Sequence, residues 1–146
     1  MKAFIRNIVT IILEAEAHFV LTKYSPKIIA VTGSVGKTSA KDAIFSVVGR
    51  TLIARKSEKS FNSEIGLPLT ILGCDTGWSS PIIWLKNIIK GLVLMTTRTH
   101  YPRWLVLEVG AGKPKDIERA VSLVTPDIAV ITRFGDVPVH VEFFKN

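Results

Sequence analysis

Ile28-Ile29-Ala30-Val31-Thr32-Gly33-Ser34-Val35-Gly36-Lys37-Thr38-Ser39 is an apolar, β-branched run that feeds a glycine-rich turn and then opens a helix. Strand, Gly-Lys-Thr turn and helix in that order turn backbone N–H groups and a helix N-terminus toward a phosphate chain. The Lys37 ammonium reaches the outer phosphates and the Thr38 hydroxyl is left for Mg2+. The stretch therefore reads as a nucleoside triphosphate site, with ATP as the expected ligand. Its binding residues are Thr32, Gly33, Ser34, Val35, Gly36, Lys37, Thr38 and Ser39. The common phosphate loop has a glycine where this chain has Val31, so the first loop glycine here is Gly33. Downstream, Ala40, Ala43, Ile44, Val47 and Val48 recur at helical spacing, and Gly49 is placed to end the helix. A glycine-rich turn that binds nothing is the bland alternative, and the flanking strand and helix weigh against it.

Working outward, 146 residues make one domain's worth of chain, long enough for a real core. An apolar content of 47% with a positive mean hydropathy suits an α/β domain with a buried parallel sheet. The net charge is +7, with Arg50, Arg55, Lys56 and Lys59 bunched after the loop helix. Such an excess favours anionic partners, and phosphates suffice. A basic, solvated surface is the default for most of these charges. No zinc spacing or aromatic-studded basic repeat supports a nucleic-acid module, so no nucleic-acid partner is expected. Cys74 is alone, which excludes a disulfide framework and fits a reducing cytoplasm. It reads as a small packed residue rather than a nucleophile.

Near the start, Lys2 and Arg6 precede an apolar run, and Ala15-Glu16-Ala17 mimics a cleavage site. Ile8 to Leu13 is too short for a signal core. Glu14, Glu16 and His18 make the segment too charged for a membrane span. Residues 1–26 are expected to form an amphipathic helix packed on the domain, with membrane contact the lesser alternative. His18 reads as a surface or packing histidine rather than a ligand. A strand follows at 28–32, the loop helix at 37–49 and a short strand at 51–54. Next come a polar stretch at 55–63 and a short helix from Ile65 to Leu72. Ser79-Ser80-Pro81 offers a serine cap and a first-turn proline for a helix over about 81–96, expected to lie against the sheet, with membrane contact the lesser alternative. Trp104 to Glu108 is an apolar strand ending in a carboxylate. In open α/β sheets ligands lie at the carboxyl ends of strands, so Glu108 belongs near the phosphates. Pro114 opens a helix burying Ile117, Ala120, Val121 and Val124, Pro126 stops it, and 128–132 is a further strand. Strands alternating with helices predict a doubly wound parallel sheet flanked by helices.

Three segments in this order resemble the Mur ligase family. They are Thr32-Gly-Ser-Val-Gly-Lys-Thr-Ser39, Ser60-Phe-Asn-Ser-Glu-Ile-Gly-Leu-Pro-Leu-Thr70 and Leu107-Glu-Val-Gly-Ala-Gly-Lys-Pro-Lys-Asp-Ile117. The similarity is greatest to the branch that adds D-alanyl-D-alanine to the peptidoglycan precursor. It assigns 27–146 to the central ATP-binding domain, with an incomplete sheet. It implies an ATP-dependent ligase that activates a carboxylate as an acyl phosphate and couples it to an amine. By the same resemblance Lys37 neutralises the β/γ-phosphates, Thr38 and Glu108 bind Mg2+, and His140 lies near a second metal ion as a catalytic residue. The resemblance likewise implies that Asn62 lies near phosphates and metal. The implied substrates are a UDP-muramoyl-peptide-like carboxylate and a dipeptide amine, and the implied setting is cytoplasmic cell-wall synthesis.

The chain departs from the family's pattern at Arg133, where an asparagine is usual, and in having only a short helix before the phosphate loop. It also ends four residues after Glu142. The expectation is an N-terminal, truncated portion of a ligase, inactive in amide formation by itself. The alternative is a non-catalytic nucleotide-binding module that needs a partner. An ordinary P-loop kinase or GTPase is disfavoured by Val31, by the Asn62–Pro68 motif and by the lack of an Asn-Lys-x-Asp signature.

Overall fold

The computed structural model describes residues 2–58, 65–77, 80–110 and 114–133, with side chains from Ile5 onward. In chain order the described elements begin with α1 (Lys2–Tyr24), β1 (Lys27–Thr32), α2 (Lys37–Thr51) and β2 (Ala54–Lys56). There follow α3 (Gly66–Leu72), α4 (Pro81–Thr96), β3 (Trp104–Glu108), α5 (Asp116–Leu123) and β4 (Ile128–Ile131). The four strands form one parallel sheet in the order β2-β3-β1-β4. Each parallel neighbour requires a crossover, and the helices supply them.

Alternation along β1 and β3 sends side chains to both faces of the sheet. On one face Ile28, Leu105 and Leu107 join Leu13, Ala17 and Val20 of α1 and Leu69, Ile71 and Leu72 of α3. On the other, Ile29, Val31 and Val106 meet Ile44, Phe45 and Val48 of α2. The α/β class and the parallel, helix-flanked sheet are as the sequence predicts. Burying a side chain of this size is worth about 1.5–3 kcal/mol, so the two layers hold the strand ends in fixed register. Val31 pairs with Glu108, which places the exits of β1 and β3 side by side.

Several local expectations change. Gly49 does not end α2, which runs on to Thr51 and closes with Leu52 extended and its N–H on the Val48 carbonyl. The short strand is accordingly Ala54–Lys56, fixed by pairing of Ala54 with Trp104. Ser80 does precede α4 and Pro81 opens it, yet the serine side chain makes no capping bond. α4 does not lie on the sheet; it packs on α1 and α3. α5 starts at Asp116, after Lys115 in the left-handed region, and buries Ala120 and Val124 while Ile117 and Val121 are exposed. Among the described strands β4 lies at an edge of the sheet, and its Ile128 and Ile131 are exposed. Of the surface and packing readings of His18, the exposed one holds. No helix among the described residues is long and apolar enough to cross a membrane.

The basic residues after α2 are less uniformly solvated than composition suggests. Arg55 Nη1 donates to the carbonyls of Thr70 and Ile71 at 3.3 and 2.7 Å, satisfying the end of α3, and its guanidinium lies over the Tyr101 ring. Lys56 pairs with Asp42 at 2.8 Å. Arg50 remains exposed, and Lys59 lies outside the described residues.

Candidate functional site

The loop leaves β1 at Thr32 and turns through Gly33 at φ 134° and Gly36 at φ 85°, both in the region that favours glycine. A Cβ on Gly33 would stand 2.1 Å from Thr132 Oγ1, so the close approach of β4 independently excludes a side chain there. At Gly36 there is open space, and the requirement is conformational alone. α2 then starts at Lys37, its N-terminus lying at the carboxyl edge of the sheet.

Lys37 folds back over the loop, Nζ donating to the Gly33 carbonyl at 2.7 Å and to Ser34 at 3.4 Å. The Ser34 and Val35 amides donate to the Arg133 carbonyl at 3.1 and 3.2 Å. Arg133, at the position where the sequence departs from the family, thus braces the loop through its backbone. Across the β1–β3 boundary, Thr38 Oγ1 donates to Glu108, 3.2 Å from Oε1 and 3.1 Å from Oε2. Glu108 is 2% exposed and receives Lys41 Nζ at 3.4 Å from Oε2; Lys41 is itself 1% exposed. Its own backbone N–H donates to Ser57 Oγ at 3.2 Å, while the Ser57 N–H donates to the Val106 carbonyl. Asp42 lies 3.8 Å from Lys41, and the hydrogen bond from Lys56 holds its carboxyl below the usual range.

The structure therefore brings the 32–39 loop and Glu108 together. His140 and Asn62 lie outside the described residues. Among those described, no group of three or more His, Cys, Asp and Glu side chains gathers to hold a metal. The oxygens at hand fit Mg2+ shared with phosphate and water: the Thr38 hydroxyl, the Glu108 carboxylate and a buried Thr32 Oγ1 with no hydrogen-bond partner among the described residues. Sequence reasoning missed Lys41 and Ser57. Lys41 stands three residues after Thr38 on α2, a spacing that puts both on one helix face and could have drawn notice. Nothing in the sequence singles out Ser57, which is buried at the end of β2.

Cys74 is in no contact with this site. Its Sγ lies 3.8 Å from the carbonyls of Leu72 and Asn87, and burial pushes the thiol up to about 11. That fits a packing role.

No protein-family model matches the chain. Among curated proteins it is 33% identical, over 124 residues, to the UDP-N-acetylmuramoyl-tripeptide–D-alanyl-D-alanine ligase of Bacillus subtilis, covering 85% of this chain and 22% of that one. The ligase of the same name from Haemophilus influenzae is 31% identical over 136 residues, covering 89% and 24%. Among solved structures, the MurF ligase of Thermotoga maritima in complex with ADP superposes with a TM-score of 0.60 at 27% identity, over 84% of this chain and 23% of that one. MurF from Acinetobacter baumannii gives 0.63 at 22% identity, which speaks for the fold alone. The chain thus spans 22–24% of the length of these curated relatives.

Proposed function

The chain belongs to the Mur ligase family, its matched relatives being D-alanyl-D-alanine-adding members, and from that premise we propose that it is the ATP-binding part of an ATP-dependent carboxylate–amine ligase. The observation that carries the reading is the meeting of Thr38 with Glu108 at 3.1–3.2 Å, at the ends of adjacent strands and one residue from Lys37. In the proposed reaction a substrate carboxylate attacks the γ-phosphorus of ATP and ADP leaves. An amine then attacks the acyl phosphate carbon, losing a proton as phosphate departs, and an amide forms.

Within that reaction the Gly36–Ser39 turn and the α2 N-terminus would hold the phosphates. The Lys37 ammonium would exchange the Gly33 carbonyl for the β/γ-phosphates and offset charge that develops on transfer. Thr38 and Glu108 would hold Mg2+, which when bound neutralises phosphate oxygens. Lys41 would keep Glu108 aimed at the loop, and Ser57 would fix the end of its strand. We also propose His140 for a second metal position and Asn62 for the phosphate side.

The substrates named for the relatives, a UDP-N-acetylmuramoyl-tripeptide and D-alanyl-D-alanine, supply the classes proposed here: a nucleotide-linked peptide carboxylate and a dipeptide amine. Peptidoglycan precursor synthesis in the cytoplasm is the corresponding setting, and a lone thiol fits it. Titration calorimetry of the chain with ATP tests the core of this, with Mg2+ present and then with EDTA. Saturable binding that weakens in EDTA is expected; no heat and no thermal stabilisation by Mg-ATP would overturn the reading.

A further inference from the structure

Lys41 does more at Glu108 than packing asks of it. Its side chain is 1% exposed, and its Nζ lies 3.4 Å from Oε2 of an equally buried carboxylate. Replacing a buried ion pair by apolar groups is often neutral or stabilising, so stability alone does not call for a lysine here. The second carboxylate in reach, Asp42, is 3.8 Å away and already holds Lys56 at 2.8 Å, whose ammonium also lies over the Phe45 ring. Lys41 is therefore committed chiefly to Glu108.

The same carboxylate accepts from Thr38 Oγ1, which stands 3.2 Å from Oε1 and 3.1 Å from Oε2. In the proposed reaction it also serves Mg2+, so Lys41 and the metal are two cations that meet on one acid. Buried charges are screened far less than exposed ones, and the repulsion between these two is correspondingly strong. Within this network and its neighbour Lys37, the described lysines Lys37, Lys41 and Lys56 outnumber the carboxylates Glu108 and Asp42. These side chains by themselves offer a divalent cation no net negative charge. A nucleoside triphosphate supplies it, and Mg2+ ordinarily reaches protein sites through one or two carboxylates together with substrate phosphates.

We propose that Lys41 makes Glu108 selective for metal that arrives with nucleotide. It disfavours a free divalent cation at the carboxylate and tolerates one whose charge the phosphates offset. Metal and nucleotide are then positively coupled, each raising the affinity for the other. The inference deepens the ATP-site reading and rests on it.

Mn2+ takes the same hard oxygen ligands as Mg2+, and its free aqueous form gives a paramagnetic resonance signal that binding removes. Titration of the 146-residue chain with Mn2+ alone, without nucleotide, should leave that signal nearly undiminished. Lys41→Met should bind Mn2+ at least about tenfold more tightly, a readout that a merely structural lysine would not move. Adding Glu108→Gln to Lys41→Met should abolish the gain and so place it at Glu108. Circular dichroism checks that the variants fold. Should the methionine variant not fold, Lys41→Gln, which keeps a polar head beside the carboxylate, is read in the same way. Saturable Mn2+ binding by the wild type without nucleotide would overturn the proposal, as would equal Mn2+ affinity in wild type and Lys41 variant. A gain that survives Glu108→Gln would also overturn it. If ATP fails to bind in the calorimetry above, the ATP-site reading falls and this inference with it. If ATP binds and Mn2+ affinity does not rise, this inference falls alone.

Discussion

Lys37 and Lys41 stand one helical turn apart and do different work. Lys37 is half-exposed, and the loop carbonyls it holds are ones a phosphate can replace. Lys37→Ala should leave the fold intact and weaken Mg-ATP binding roughly tenfold to a hundredfold, the worth of one or two charge-assisted hydrogen bonds. Unchanged affinity in calorimetry would show that the loop binds without it. Lys41 is buried against Glu108, so its loss leaves a buried carboxylate with fewer partners. Lys41→Met is expected to cost about 3 kcal/mol in denaturant unfolding without ligand. Because Mg2+ would supply the missing positive charge, Mg-ATP should raise the melting temperature of Lys41→Met more than that of the wild type. An equal rise in both proteins would argue that no cation reaches Glu108. Glu108→Gln should make ATP binding nearly indifferent to EDTA while leaving affinity in EDTA little changed.

Between elements, α1 and α4 approach closely at Gly91. A Cβ on Gly91 would stand 2.0 Å from Glu16 Oε2 and 2.5 Å from its Cδ, so any larger residue there requires the buried Glu16 carboxyl to swing aside. Gly91→Ala should destabilise by about 1–3 kcal/mol, in spite of alanine's better helix propensity. Glu16→Ala in the same chain should recover much of that loss, and a double-mutant cycle measures the coupling. Purely additive effects would mean that the helices simply shift apart. The element scale is also where the sequence was least legible. The strands and the order of elements could be read, because β-branched runs and helical spacing are local signals. The packing of α4 could not: its apolar residues cover the whole circumference, and periodicity does not say which side meets α1 and α3. The end of α2 was misplaced for a related reason. A glycine permits a helix to stop, but the pairing of Ala54 with Trp104 decides where the next strand begins. The nearness of Lys37, Thr38 and Glu108 was legible because motif order and strand ends locate them. Lys41 and Ser57 were not, since their roles arise only when β3 comes to lie beside β1 and β2.

At the scale of the molecule, Glu16 is a described group that ties stability to pH near neutrality. It is 4% exposed, both carboxylate oxygens lack a hydrogen-bond partner among the described residues, and desolvation raises its pKa to about 7. A buried carboxyl with a raised pKa favours folding while it stays protonated. Its contribution is therefore complete below the ordinary glutamate value near 4.5 and is lost as pH climbs through 7. Each tenfold change in proton affinity is worth about 1.4 kcal/mol, so the loss across that window is at most about 3.5 kcal/mol. Asp42 and Asp127 act in the opposite direction. Lysine hydrogen bonds from Lys56 and Lys27 hold their carboxyls below the usual range, and what they contribute is lost only as pH falls well into the acid region. Chemical denaturation between pH 4.5 and 8 should thus show the wild type losing stability with rising pH. Glu16→Gln keeps the shape and removes the proton equilibrium, so it should match the wild type near pH 4.5, flatten the profile and be the more stable protein above pH 7. If the two profiles run parallel, water reaches the Glu16 carboxylate and the α1–α4 contact is looser than its geometry implies.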